Sequence, residues 1–373
     1  MLIGIDASRA TKAQKTGTEY YSQEIIKALA ELDEANQYIL YTPKEPGGEL
    51  TKLPKNFRFK IIPFPRLWSQ IRLSVELVRG LPKPDVVFEP AHTIPLVHHK
   101  KMVVTIHDLG FVHFPELYTP FERLYHNFSL TYSAKHAARI IVPSNYTKRD
   151  LIRYLPIDPR KIHVVYHGFD KERFRPATEN EKAMVLPHGI EPPYIFFVGR
   201  IELKKNVDGM IEAYRLLREE KSISHKLVLA GKPGWGYERV KEKINALPED
   251  IRSDIIELGY VSDHDYPILL KRAEILFFPS WFEGFGLPVL EAMAAGVPVV
   301  ASAQTSLPEI AASGAILVKP SKPLEMAAAL SKLIHKSDFR KSMILKGRVR
   351  ANSFTWRRAA KETLTVLQEV GRS

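Results

Sequence analysis

From its first residues to beyond residue 315, the chain alternates short runs of Val, Ile, Leu and Phe with longer stretches of helical periodicity. Candidate strands in the first half are 2–7, 38–42, 58–63, 85–89, 102–106, 139–143 and 162–166. Those in the second half are 194–199, 226–230, 255–260, 275–279, 297–301 and 315–318. Helix-like stretches near 18–32, 67–79, 119–137 and 145–154 fall between the first set. After Asn206, a natural cap, Val207, Met210, Ile211, Tyr214 and Leu217 follow an i, i+3, i+4, i+7 repeat. Parallel strands need long, usually helical crossovers, and strands covered on both faces read as unbroken apolar runs. The alternation therefore predicts α/β architecture with doubly wound parallel sheets.

A chain of 373 residues is too long for one ordinary core, so two Rossmann-like domains are expected. The strand pattern stops after residue 168 and resumes at 194, across a polar, proline-bearing stretch. The expected organisation is an N-terminal domain at 1–170, a linker at 171–193 and a C-terminal domain at 194–353. Residues 354–373 form one amphipathic helix with no following strand, expected to pack back on the N-terminal domain. Ligands in such sheets bind beyond the carboxyl ends of the strands, here the loops after residues 7, 106, 199, 230 and 279. A central cleft between the domains is the expected site.

The most informative local segment lies in one of those loops. Glu283 and Glu291 bracket Gly284-Phe285-Gly286-Leu287-Pro288-Val289-Leu290. Pro288 suits the first position of a helix, where a missing N–H costs nothing. The amides of Phe285, Gly286 and Leu287 would then lie at a helix N-terminus without intrahelical acceptors, facing phosphate oxygens. Glycines let the backbone approach those oxygens, and each flanking carboxylate accepts hydrogen bonds from hydroxyls. A phosphate cradle between two hydroxyl readers suits a nucleotide-sugar.

Other loops supply matching chemistry. Gly199-Arg200 ends one strand, and Lys205 precedes the next helix; Arg200 and Lys205 would neutralise a departing diphosphate. His107 follows another strand and is placed to meet a sugar hydroxyl. Gly17, in Thr16-Gly17-Thr18, opens a helix after the first strand and is a weaker candidate for a phosphate contact. Asp263-His264-Asp265 is the one literal D-x-D, but Ser262 followed three residues later by Asp265 reads as a helix cap, so no metal is expected.

Composition narrows the field. Forty-five percent apolar residues is globular, and the longest apolar runs are too short to span a bilayer. Residues 1–10 read as a first strand, with no signal peptide. The absence of cysteine excludes disulfides, thiolate zinc and cysteine nucleophiles, and is compatible with a cytoplasmic protein. A net charge of +12 is spread along the chain without a nucleic-acid-binding motif, so an anionic ligand and an anionic membrane surface are the expected partners, not nucleic acid.

FPSWFEGFGLPVLEAMAAGVPVVAS, GRIELKKN, VTIHDLGFVHFPELY and VPSNYTKRDL together resemble the retaining glycosyltransferases of family 4 (group 1), with the GT-B fold. That resemblance runs from the first strand to the last helix. It implies metal-independent transfer of a hexose from a nucleotide-sugar, GDP-mannose or a UDP-sugar, with retention and no further cofactor. Arg200 and Lys205 would hold the diphosphate, Glu291 the ribose, and Glu283 the donor sugar hydroxyls. Phe285, Gly286 and Leu287 would meet sugar and phosphate, with His107 near the transferred sugar and Gly17 near the diphosphate. Gly199 would lie beside the phosphates, and Tyr260 and Val261 beside the base. Many members carry a double glycine where this chain has Lys15-Thr16-Gly17-Thr18-Glu19. Mannose is favoured because IHDLGFVHFPE is similar to bacterial polysaccharide mannosyltransferases. The acceptor would be a glycan or lipid-linked oligosaccharide of cell-surface polysaccharide synthesis.

The stretch 66–80 places Leu67, Ile71, Val75 and Val78 on one helical face with Arg66, Arg72 and Arg79 nearby. That face is expected to cover the sheet, with peripheral membrane contact on the cytoplasmic side as the second reading. The rival functions are a GT-B epimerase or phosphorylase, and a non-catalytic nucleotide-sugar-binding protein on the same scaffold.

Overall fold

A computed structural model of the chain describes residues 1–12, 15–64, 68–220 and 223–373. It divides into two compact units, one of Met1–Gly168 with Phe354–Ser373 and one of Phe169–Ser353.

The first unit is built on seven strands: β1 (Leu2–Asp6), β2 (Gln37–Thr42), β3 (Phe57–Ile61), β4 (Val86–Glu89), β5 (Met102–Thr105), β6 (Arg139–Val142) and β7 (Ile162–Val164). They pair in the order β3-β2-β1-β4-β5-β6-β7, all parallel. Successive side chains of a strand point to opposite faces. Ile3, Ile5, Phe88 and Val103 accordingly join one apolar cluster, while Val87, Met102, Val104 and Ile140 join another. The first cluster is covered by the helix Gly17–Leu32 and by the C-terminal helix Trp356–Arg372. The second is closed by Leu73 and Leu77, by Leu130 and Ala134, and by Leu151.

The C-terminal helix docks as its periodicity requires. Trp356, Ala359, Ala360, Thr363, Val366, Leu367 and Val370 are buried, and Thr355 caps the helix by accepting from the Arg358 amide. Gly168 passes so close that a Cβ there would stand 2.0 Å from the Trp356 nitrogen.

The second unit carries β8 (Tyr194–Val198), β9 (Lys226–Ala230), β10 (Ile255–Gly259), β11 (Ile275–Phe278), β12 (Val299–Ser302) and β13 (Ile316–Val318). Their order is β10-β9-β8-β11-β12-β13, again parallel throughout. Strand order reverses between β1 and β4 in the first sheet and between β8 and β11 in the second. The carboxyl ends at a reversal are where doubly wound sheets open a ligand crevice.

The strands fall within two residues of their sequence-derived positions. The segment 171–193 lies within the second unit and carries the helix Glu179–Ala183, capped by Thr178. Glu181 is bonded there by Arg175 and Lys271. The stretch 66–80 differs from expectation. Arg66 and Leu67 lie outside the described residues, and Trp68, Leu73 and Leu77 face the core. Ile71, Val75 and Val78 are instead exposed, because the helix carries two apolar stripes and only one meets the sheet. Leu367→Ala should cost about 2–5 kcal/mol in the urea unfolding of the first unit, and the exposed Lys361→Ala within about 0.5 kcal/mol.

Candidate active site

Three neighbouring strands of the second unit end in glycine-dependent loops. Gly199 donates to the Ala230 carbonyl at 2.9 Å, and Gly231 to the Gly259 carbonyl at 2.7 Å. Gly231 sits at φ +154°, and a Cβ there would fall 1.7 Å from the Gly199 carbonyl oxygen. No other residue lets these two backbones meet.

Beyond β8 the chain makes a helical turn over Leu203–Lys205 and reaches Asn206 in the left-handed region, φ +59°. Asn206 is the N-cap of the helix Val207–Glu219, as the sequence predicts, but its side chain does not bond the helix amides. Its amide instead donates to the Pro279 carbonyl at 3.1 Å and the Pro320 carbonyl at 2.8 Å, tying the loops after β8, β11 and β13 together. Trp281 adds a backbone bond to the Lys204 carbonyl at 2.9 Å. This tie sets Lys205 Nζ 2.5 Å from Glu283 Oε1, with both side chains more than four-fifths buried. Arg200 is open to solvent, its Nε 3.6 Å from the buried Glu202 carboxylate, which Lys204 approaches at 3.9 Å.

The turn between Glu283 and Glu291 is braced from behind. Buried Ser306 donates its hydroxyl to the carbonyls of Glu283 at 2.9 Å and Phe285 at 3.0 Å. Thr305 Oγ1 accepts from the Glu283 amide at 3.2 Å, so that amide is spoken for. Gly286 is the N-cap at φ +101°, and a Cβ on it would stand 2.4 Å from Leu307 Cδ2. The helix runs Leu287–Ala295 with Pro288 in its second position, one later than expected, because Gly286 rather than Leu287 takes the non-helical cap conformation. Amides of such a first turn have no intrahelical acceptor.

Glu291 is buried, and Tyr266 donates its hydroxyl to Glu291 Oε2 at 2.5 Å. Burial pushes this carboxyl up to about 7 against the opposing pull of the Tyr266 hydroxyl and of Arg173. Tyr260 is exposed with Lys232 Nζ 5.0 Å from its ring centroid, and Val261 beside it is buried. The Asp265 amide donates to Ser262 Oγ at 3.0 Å, as the capping pattern predicts, although the helix begins only at Asp265. Among the described residues no group of three or more His, Asp or Glu is arranged to hold a metal.

His107 and Gly17 belong to the first unit. His107 is buried, with Nε2 2.8 Å from the Pro90 carbonyl and Tyr21 against its ring at 4.7 Å. Desolvation lowers its pKa, so the neutral ring donates through Nε2–H and keeps its lone pair on Nδ1. Gly17 starts its helix in open space, where a Cβ would meet nothing within 4 Å. Thr16 and Glu19 close a capping box there. Glu19 is held down to about 2: burial raises it, but Thr16, Lys12 and Arg9 outweigh that.

Sequence reasoning missed Ser306, Thr305, Tyr266 and Glu202. The first two had a signal: β12 neighbours β11, so its following loop must lie against the turn that follows β11. Gly286→Ala should cost about 1–3 kcal/mol in thermal unfolding, since it combines left-handed strain with overlap on a buried Leu307. Gly17→Ala should change stability by less than about 0.5 kcal/mol, so any loss of ligand affinity in it would report a contact with ligand alone.

Comparison with known proteins follows the same lines. Residues 179–350 match the family described as glycosyl transferases group 1, and residues 15–173 match Glycosyltransferase Family 4. The chain is 27% identical over 376 residues to O-antigen chain mannosyltransferase B of Escherichia coli, covering 96% of this chain and 98% of that one. It is 32% identical to D-inositol 3-phosphate glycosyltransferase of Salinispora tropica, but spans only 51% of that protein. HepE of Anabaena, solved with UDP and glucose, superposes with a TM-score of 0.76 at 17% identity, covering 98% of this chain and 99% of that one. WaaG, a glycosyltransferase of lipopolysaccharide biosynthesis, gives 0.71 at 16% identity, with the same coverage. The chain belongs to the group 1, family 4 glycosyltransferases, hexosyl-transferring enzymes built on the GT-B fold.

Proposed function

We propose that this enzyme transfers mannose from a nucleoside-diphosphate sugar to a growing cell-surface glycan or lipid-linked oligosaccharide, with retention at the anomeric carbon and without a metal. The observation that carries the donor assignment is the Lys205–Glu283 pair set beside the N-terminus of Leu287–Ala295. A cation, a row of amides and a hydroxyl-accepting carboxylate stand together there. Mannose rests on the O-antigen mannosyltransferase relative, which aligns over nearly the whole chain.

In this reading Lys205 and Arg200 take the charge that grows on the leaving diphosphate, the work a metal would otherwise do. Amides of Phe285, Gly286 and Leu287 receive phosphate and sugar oxygens, Gly199 leaves room for the diphosphate, and Gly17 is the weakest of these assignments. Glu283 accepts from donor sugar hydroxyls and Glu291 from the ribose, while Tyr260 and Val261 flank the base. His107, neutral and with its lone pair on Nδ1, accepts from a hydroxyl of the transferred sugar. The anomeric carbon–diphosphate bond breaks as the acceptor oxygen attacks from the same face, and a diphosphate oxygen takes the acceptor proton. No enzymic nucleophile is required, so the rate rests on positioning and leaving-group stabilisation. Epimerase, phosphorylase and non-catalytic readings have no comparable support, since the family match and the relatives above are glycosyltransferases.

A melting-temperature screen against GDP, UDP, ADP, dTDP and their sugar conjugates in EDTA should show a rise with one nucleotide class, lost in Arg200→Ala, Lys205→Ala and Glu291→Ala. No rise with any of them would sink the donor assignment. With Glu291 titrating near 7, its ionised fraction, and with it kcat/KM for the donor, should rise roughly tenfold between pH 6 and pH 8. The sign for stability is opposite. A carboxyl held above its ordinary 4.5 binds its proton more tightly when folded, so its contribution fades as pH climbs from there through about 7.

We also propose peripheral contact with anionic lipid on the cytoplasmic face of the membrane. Among the described residues no helix is long and apolar enough to cross a bilayer. The first unit nevertheless exposes Ile71, Val75 and Val78 on one helix, and Phe121 (77% exposed), Leu124 (69%) and Phe128 on the helix Pro120–His136. Leu96 joins the two, since its amide donates to Gln70 Oε1 and its carbonyl accepts from the Tyr132 hydroxyl. Arg79, Arg123 and Lys135 are exposed on the same helices, which matches anionic headgroups. The protein should sediment with phosphatidylglycerol vesicles at low salt and stay in solution with phosphatidylcholine. Phe121→Ser with Leu124→Ser should cut the bound fraction at least roughly fivefold. Equal sedimentation of the double variant, or none by the parent, would refute this.

A further inference from the structure

The assignment of Glu291 to the ribose leaves a difficulty: its burial favours the protonated form, which is a poor hydrogen-bond acceptor. The structure answers it from the helix Asp265–Arg272. Tyr266 spends its hydroxyl on Glu291 Oε2 at 2.5 Å. Among the described residues no other side chain donates to that carboxylate. The ring of Tyr266 is itself fixed, with Phe174 edge-on at 5.5 Å and Phe196 stacked at 6.5 Å. Phe174 is almost wholly buried, and the adjacent Arg173 donates to the Asp263 carbonyl at 2.7 Å, holding the chain just before this helix. The ring is held by these two neighbours, and its hydroxyl is aimed at the carboxylate.

We infer that Tyr266 is a positioning residue for donor recognition, whose hydroxyl favours the accepting form of Glu291 and aims Oε1 at a pair of ribose hydroxyls. This rests on the ribose role of Glu291. An ionised carboxylate can only accept, so the phenol O–H donates to it in a charge-assisted bond, which is exchanged for a weaker neutral one when the carboxyl is protonated, and the contact therefore favours the charged state. The other charged groups acting on Glu291 are Arg173, which favours ionisation, and Asp170 and Asp263, which oppose it. None of the three is a hydrogen-bond partner of the carboxylate, so the contact that both orients and ionises it is Tyr266.

The test is the pH dependence of GDP and UDP affinity, measured by calorimetry from pH 6 to pH 9 on the parent, Tyr266→Phe, Glu291→Gln and the double variant. Tyr266→Phe keeps the ring between Phe174 and Phe196 and removes only the hydroxyl. Its Kd for the accepted nucleotide should be weakened roughly tenfold at pH 7, with the ratio to the parent shrinking toward one at pH 9 as Glu291 ionises without help. Titration of the nucleotide phosphate is common to all four proteins and cancels in the ratio. The double variant should bind no more weakly than Glu291→Gln alone. A Tyr266→Phe ratio that is flat with pH, or a further loss in the double variant, means a merely structural role and overturns the inference while leaving the ribose assignment standing. Glu291→Gln binding as tightly as the parent, or no binding of either nucleotide by the parent, overturns both.

Discussion

The amide of Asn206 ties together the loops at the carboxyl ends of the second unit's strands. One buried side chain donates to the carbonyl that follows β11 and to the carbonyl that follows β13, while its own backbone, in the left-handed region, starts the next helix. Both acceptors are main-chain groups, and an unpaired buried carbonyl costs about 1–3 kcal/mol. Replacing Asn206 by an aliphatic residue would leave two of them, and the loops they end would part. Lys205 precedes this residue, and the Lys204 carbonyl takes the Trp281 amide, so the Lys205–Glu283 pair depends on the tie.

From that tie the two carboxylates of the Glu283–Glu291 segment acquire different environments. Glu283 is met by a cation at 2.5 Å, whereas the buried Glu291 is met by a phenol at 2.5 Å. A donor entering such a site would share Lys205 with Glu283 rather than displace water from a bare ammonium, so part of the cost of ordering that lysine is already met in the free protein. Behind them Ser306, Thr305 and Leu307 brace the backbone turn.

In the first unit the corresponding order comes from aromatic packing. Tyr21 lies 4.7 Å from His107 and 4.5 Å from His167, and His167 stacks on Trp356 of the C-terminal helix at 5.9 Å. The last helix of the chain is thereby packed, through two rings, onto the histidine proposed to meet the sugar. Its amphipathic sequence required burial somewhere, and the open side of the first sheet supplied it.

Much of this was legible in the order of residues. Strands show as short β-branched and aromatic runs because both of their faces are buried, and that pattern needs no knowledge of neighbours. Gly286 and Pro288 announce a helix start through backbone preferences that are intrinsic to each residue, so that start could be placed to within one position. Partnership could not be read in this way. Asn206 as a tie, Ser306 as a brace, Tyr266 on Glu291 and the outward stripe of Ile71, Val75 and Val78 each depend on which loop or helix another part of the chain brings alongside. Periodicity and backbone preference act over a few residues and are fixed by the sequence itself, whereas a hydrogen bond across 73 residues, or an apolar stripe left facing water, exists only once the sheets have set their strand order.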